Sequence, residues 1–263
     1  MNFLIVGDIV GWTGINKLKE EYPKLKEKYN IDFTIVNGEN SAHGKGLRDK
    51  EYEEIMKIGT DVITMGNHLY YRKEMAERYK ELKNLVIPAN VTNLTANGSC
   101  LVEKNGVKVG VINLIGCVDM GKIFEENTVS PFKVIDEIID NLKKEGAKYI
   151  FVDFHAEATA EKIAMGYYLS GKVTCVFGTH THVQTADERI IDGITAYITD
   201  VGMTGPKDSV IGLKKDVALV RFTKGDFAKY DCAEENESFL NGIIVTTDDK
   251  SGLPIKIERL QIN

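Results

Sequence analysis

The sequence predicts an α/β protein on three observations. Strand-length apolar runs alternate with amphipathic helical segments through the first third of the chain. The first three of those runs each end in glycine followed by polar side chains: Gly7-Asp8, Gly38-Glu39-Asn40 and Gly66-Asn67-His68. The chain has 263 residues, 43% hydrophobic and 27% charged, with 5 prolines and no Pro/Ser-rich linker to mark a boundary. The chain is long enough for one large core, and its length alone allows one domain or two.

Residues 3–6 are a compact apolar run, read as a central first strand that ends at Gly7-Asp8. Gly11 and Gly14 follow, but the spacing matches neither Gly-x-Gly-x-x-Gly nor the Walker pattern, and a carboxylate there would repel a phosphate. Asp8 reads as a hard metal ligand or as a cap or turn aspartate, the latter slightly favoured by this segment alone. Residues 15–29 place Ile15, Leu18, Tyr22 and Leu25 at helical spacing. Residues 33–36 form the second strand, 50–58 a helix closed by Gly59, and 61–65 the third strand.

A helix is expected near 72–82, then a strand at 85–87. A hairpin pairs 100–103 with 108–114 about Asn105-Gly106. Pro131 opens a helix that runs to 144 and stops before Gly146. A buried strand at 149–154 delivers His155, and Asp153 lies on the same face of it. After a helix at 157–168, the strand at 173–177 delivers Gly178-Thr179-His180-Thr181-His182. Further strands are predicted at 195–199, 217–222, 241–247 and 255–262.

The net charge of −6, with acids and bases interspersed, argues against a broad basic face for long nucleic acid. No apolar run approaches bilayer-spanning length, and the N-terminus lacks a signal peptide's basic n-region. Cys100, Cys117, Cys175 and Cys232 form no Cys-x-x-Cys. The expected setting is cytoplasmic, with no membrane partner, and a homo-oligomer is left open.

The ligand census carries the functional argument. The chain has 5 histidines, His43, His68, His155, His180 and His182, and all fall in predicted strand-end loops. In open α/β sheets, ligands bind beyond the carboxyl ends of the strands. Asp8, Glu39, Asn40, Asn67, His155, His180 and His182 are too many for one catalytic zinc. They suit two metals about 3.5–4 Å apart bridged by a carboxylate. Asp200 and Asp153 read as residues that orient histidines or cap turns.

These motifs resemble the calcineurin-like metallophosphoesterases, and more specifically the YmdB-like bacterial subgroup of 2′,3′-cyclic-nucleotide phosphodiesterases. The resemblance rests on Gly-Glu-Asn-Ser-Ala-His-Gly-Lys-Gly at 38–46, Ile-Thr-Met-Gly-Asn-His at 63–68 and Asp-Phe-His-Ala-Glu-Ala-Thr at 153–159. It also rests on the segments at 178–187 and 196–206, and covers essentially the whole chain in order. Two departures from the wider superfamily are shared with the subgroup: Val10 replaces the histidine of Asp-x-His, and Glu39 replaces the usual second aspartate.

The resemblance implies a four-layer αββα sandwich of two mixed β-sheets flanked by helices, in a single domain over residues 1–263. It implies one metal held by Asp8, Glu39, Asn40 and His182, and another by Glu39, Asn67, His155 and His180. His68 is implied as the general acid. Iron is the expected metal, manganese a plausible substitute and zinc less favoured. The expected substrate is a small nucleotide phosphodiester. His43, Lys45 and Thr204 could touch its phosphate or sugar, or be solvated loop residues. The alternatives are a phosphatase or phosphodiesterase of another substrate, and a nucleotide-sensing protein without turnover.

Overall fold

A computed structural model describes the chain except residues 73, 94–96, 226–230 and 235–236. The elements run β1 (Asn2–Val6), β2 (Asp8–Ile9), α1 (Gly11–Tyr29), β3 (Phe33–Asn37), α2 (Asp49–Ile58) and β4 (Val62–Thr64). A 3-10 turn at Asn67–Tyr70 leads to α3 (Met75–Arg78), β5 (Leu85–Val86), β6 (Ser99–Lys104), β7 (Val107–Ile115), α4 (Lys122–Asn127) and α5 (Pro131–Lys144). Then come β8 (Tyr149–His155), α6 (Thr159–Tyr168), β9 (Cys175–Thr179), β10 (Arg189–Ile191), β11 (Thr195–Ile198) and β12 (Met203–Pro206). The chain closes with α7 (Lys215–Lys224), β13 (Ser238–Thr247) and β14 (Pro254–Ile262).

Two mixed sheets form among the described residues. One has the order β2-β12-β13-β1-β3-β4-β5, with β14 also on β13; the other is β10-β11-β9-β8-β7-β6. β1, β3, β4 and β5 are mutually parallel, as are β7, β8, β9 and β11.

The period-2 alternation of the strands builds the layers. On β1, Phe3 and Ile5 face the opposite sheet and pack with Phe33, Ile35, Phe151 and Phe177. The Phe3 and Phe151 rings lie 4.5 Å apart between centroids. Leu4 and Val6 face the other way, onto Ile15, Leu18 and Leu25 of α1 and Ile55 of α2. On β8, Ile150, Val152 and Phe154 face Ile135, Ile139 and Leu142 of α5 and Met165 of α6. The result is the four-layer αββα sandwich expected from the motifs, with each large buried side chain contributing about 1.5–3 kcal/mol.

Three expectations need correction. The segment 217–222 is not a strand; it lies within α7, where only Ala218 is buried and Gly225 caps the end at φ 67°. A short apolar run is ambiguous between strand and helix, and β-branched Val217 and Val220 tip it wrongly. The first helix starts at Gly11 rather than residue 15, because Gly14 lets α1 approach β12: a Cβ there would lie 2.3 Å from the Thr204 carbonyl oxygen. The helix expected near 72–82 is a single turn at Met75–Arg78, with residue 73 outside the described residues.

The two sheets present carboxyl strand ends to the same end of the sandwich. Asp8 follows β1, Glu39 and Asn40 follow β3, and Asn67 and His68 follow β4; His155 ends β8, and His180 and His182 follow β9. A buried hydrogen bond from Asn37 Nδ2 to Asp153 Oδ2, at 3.0 Å, ties the two sheets together just beneath those ends.

Candidate metal centre

The seven donors named from the sequence converge. Ligand atoms of Asp8, Glu39 and His155 all lie within 4.8 Å of one another, and the three residues are buried. The glycines before them permit the approach. A Cβ at Gly66 would lie 2.4 Å from both Glu39 Oε2 and His155 Nε2. One at Gly178 would lie 1.8 Å from the Thr199 carbonyl oxygen.

The donors fall into two groups. His155 Nε2 lies 2.8 Å from Asn67 Oδ1, 3.1 Å from His180 Nδ1 and 3.5 Å from Glu39 Oε2. His182 Nε2 lies 2.9 Å from Asn40 Nδ2 and 4.0 Å from Asp8 Oδ1. Glu39 belongs to both groups, because its Oε1 accepts from Asn40 Nδ2 at 2.9 Å.

Each of the three imidazoles has its other ring nitrogen on an oxygen outside the cluster. His155 Nδ1 is 2.9 Å from Thr179 Oγ1, and that hydroxyl in turn donates to Asp153 Oδ1 at 2.7 Å. His180 Nε2 is 3.1 Å from Glu157 Oε2. His182 Nδ1 donates to the Ile211 carbonyl at 2.8 Å. Burial lowers the pKa of all three rings, so they are neutral near pH 7. A neutral ring with its proton on the outer nitrogen turns a lone pair inward. The inward donors are then His155 Nε2, His180 Nδ1 and His182 Nε2.

The acids complete the fit to a cation. Burial, then the charges of Glu39, Asp200 and Asp153, push the Asp8 carboxyl well up. Asp8 Oδ1 and Asn40 Oδ1 are buried oxygens without a hydrogen-bond partner in the protein. Burial opposes ionisation of Glu39 as well, but the His155 and His68 rings and two hydrogen bonds from His68 outweigh it and hold its carboxyl well below the usual range. Unpartnered oxygens, inward lone pairs and two buried carboxylates are a donor set that a metal ion satisfies.

His68 stands beside this set. Its Nδ1 is 2.9 Å from Glu39 Oε1, and its ring lines a cavity of about 570 Å³ over the donors. Glu39, Asn40, Asn67, His180, His182 and Lys45 share that cavity.

The other two residues expected to touch substrate lie elsewhere. Thr204 is fully buried in β12, where its hydroxyl bonds the Asn241 backbone, so it cannot reach a ligand in the cavity. His43 has φ 54°, its Nδ1 lies 2.9 Å from Glu234 Oε1, and it is not part of the cavity lining. Asp153 and Asp200 are supports, as the sequence suggested. Asp200 forms a fully buried pair with Lys162 at 2.7 Å and accepts the Thr181 N–H at 3.1 Å, anchoring the loop between His180 and His182.

Sequence reasoning missed Thr179, Glu157 and Lys162. Thr179 stood inside the motif without a role. Glu157, two residues past His155, read as the start of a helix. Nothing local marks Lys162, on α6, as a buried lysine.

The family profile described as YmdB-like protein matches residues 4–260. A 2′,3′-cyclic-nucleotide 2′-phosphodiesterase of Bacillus subtilis (strain 168) is 46% identical over 264 residues, covering 100% of this chain and 97% of the relative. A crystal structure described as a novel phosphatase from Mycoplasma pneumoniae superposes with a TM-score of 0.91 at 39% identity, covering 100% of this chain and 93% of that one. A structure from Thermus thermophilus, described as a hypothetical protein, gives 0.88 at 32% identity over 99% and 98% of the two chains.

Proposed function

Because this chain belongs to the YmdB-like family of metallophosphoesterases, we propose that it is a dinuclear metal-dependent phosphodiesterase that hydrolyses 2′,3′-cyclic nucleotides to nucleoside monophosphates. The observation that carries the dinuclear reading is the sharing of Glu39 between two groups of inward-facing donors. Asp8, Glu39, Asn40 and His182 would hold one ion, and Glu39, Asn67, His155 and His180 the other. Iron is the proposed metal, with manganese able to substitute.

Bound there, the ions supply Lewis acidity toward the phosphoryl oxygens and lower the pKa of water near neutrality. The chain supplies the rest. Thr179 and the Ile211 carbonyl hold the His155 and His182 rings in the tautomer that turns a lone pair inward, and the Glu157 carboxylate lies 3.1 Å from the outer nitrogen of His180.

An alkoxide is a poor leaving group, and His68 is the proton donor. Its Nδ1 rests on Glu39, which leaves Nε2 to carry a proton to the departing ribose oxygen. Lys45, on the cavity lining 4.8 Å above the Tyr71 ring, adds positive charge toward the phosphate. A nucleotide-sensing role without turnover would not require His68.

A panel of 2′,3′-cyclic, 3′,5′-cyclic and linear diesters tests the reading. Fastest turnover of the 2′,3′-cyclic substrates is expected. Faster turnover of a nucleoside monophosphate, included beside the diesters, would move the protein to the phosphatases.

A further inference from the structure

The cavity over the metal donors has two unlike halves. One is ionic: Glu39, the inward imidazoles, His68 and Lys45. The other is a mainly apolar wall built by Val210, Ile211, Leu213 and Phe222, with Arg221 beside Phe222. Phe222, on α7, is 84% exposed although it is a large aromatic. Ala218, one turn earlier on the same helix face, is buried, while Phe222 lines the cavity.

A hydrogen bond ties the wall to the ionic half: the Ile211 carbonyl accepts the His182 Nδ1 proton at 2.8 Å. The position of the apolar face is therefore fixed relative to the donors. A ligand that fills both halves must carry an anion at one end and a flat apolar group at the other. The cavity's volume of about 570 Å³ lies within the roughly 300–1,000 Å³ usual for small-molecule sites.

We propose that Phe222 is the platform on which the nucleobase of the substrate stacks, and so the residue that makes the site select nucleotides over other cyclic phosphodiesters. This rests on the phosphodiesterase reading of the same site. Stacking on an aromatic face tolerates any base, because every base has a π-face. The site therefore discriminates weakly among the four common bases and strongly against a substrate with none.

The test compares wild type, Phe222→Ala and Phe222→Trp on 2′,3′-cyclic AMP and on glycerol 1,2-cyclic phosphate, which carries the cyclic diester without a base. Phe222→Ala should lose roughly tenfold or more in kcat/KM on the nucleotide, mainly through KM, and little on the glycerol ester. Phe222→Trp should restore the nucleotide rate. Equal losses on both substrates, or no loss on either, would overturn the proposal. So would unchanged kinetics with a shift in molar mass, which would assign the face to a second copy of the chain.

If wild type hydrolyses neither ester, the functional reading fails first. The stacking claim is then decided by calorimetric titration of adenosine 3′-monophosphate. Binding weakened about tenfold in Phe222→Ala supports it, and equal binding refutes it.

Discussion

His155 Nε2 and His180 Nδ1 lie 3.1 Å apart, with His155 Nδ1 bonded to the Thr179 hydroxyl and His180 Nε2 3.1 Å from the Glu157 carboxylate. Two neutral imidazoles arranged so bring two lone pairs together, a contact that favours a cation between the donors. The His155 side of that arrangement depends on Thr179, whose hydroxyl links the ring to Asp153. Thr179→Val keeps the shape and removes the link. Loss of such an outer partner costs about 10–100-fold in metal affinity or activity. Metal titration of the variant checks this; wild-type affinity would contradict the role given to Thr179.

His182 and His180 stand two residues apart yet join different donor groups. His182→Ala should weaken the ion held with Asp8 and Asn40 more than the one held with Asn67 and His155. Elemental analysis after dialysis should find the variant nearer one metal per chain than the wild type. Equal loss of both ions would argue against the division.

His68 touches Glu39 but donates from its other nitrogen in the proposed reaction. His68→Asn should cut kcat on 2′,3′-cyclic nucleotides by about 10²–10⁴-fold with metal content unchanged. The loss should be far smaller on a p-nitrophenyl diester, whose leaving group needs no proton. An equal loss on both substrates would contradict a general-acid role.

Burial pushes the Asp153 carboxyl up to about 7, against the hydrogen bonds from Thr64, Thr179 and Asn37 that favour its charge. Its ordinary value is 3.8, so between these values the native chain holds a proton that the unfolded chain has released. That contribution to stability is full below the ordinary value and is lost as pH rises through about 7. Asp153→Asn removes it. In chelator, the melting-temperature advantage of wild type over this variant should shrink from about pH 5 to pH 8. A constant or growing advantage would contradict the assignment.

Much of the site was legible because its donors sit where chain direction puts them. A buried strand read from its apolar run must end somewhere, and a glycine followed by Asp8, Glu39 or Asn67 marks that end. The pairing of donors across two sheets was not legible locally. It depends on long-range packing such as the Asn37–Asp153 bond, between residues far apart in sequence. Thr204 misled because a residue inside a motif can turn its hydroxyl into the sheet, as it does toward Asn241. α7 was misread because exposed Leu219 and Phe222 break the helical pattern of buried apolar residues, so the wall of the cavity was hidden with it.

The central claim is that the seven donors hold two catalytic metals. One preparation, split and analysed for metal and for 2′,3′-cyclic AMP hydrolysis before and after chelation, tests it most directly. The account predicts about two equivalents of transition metal per chain, loss of hydrolysis on stripping and recovery with iron or manganese. Full hydrolysis by the stripped protein would contradict it.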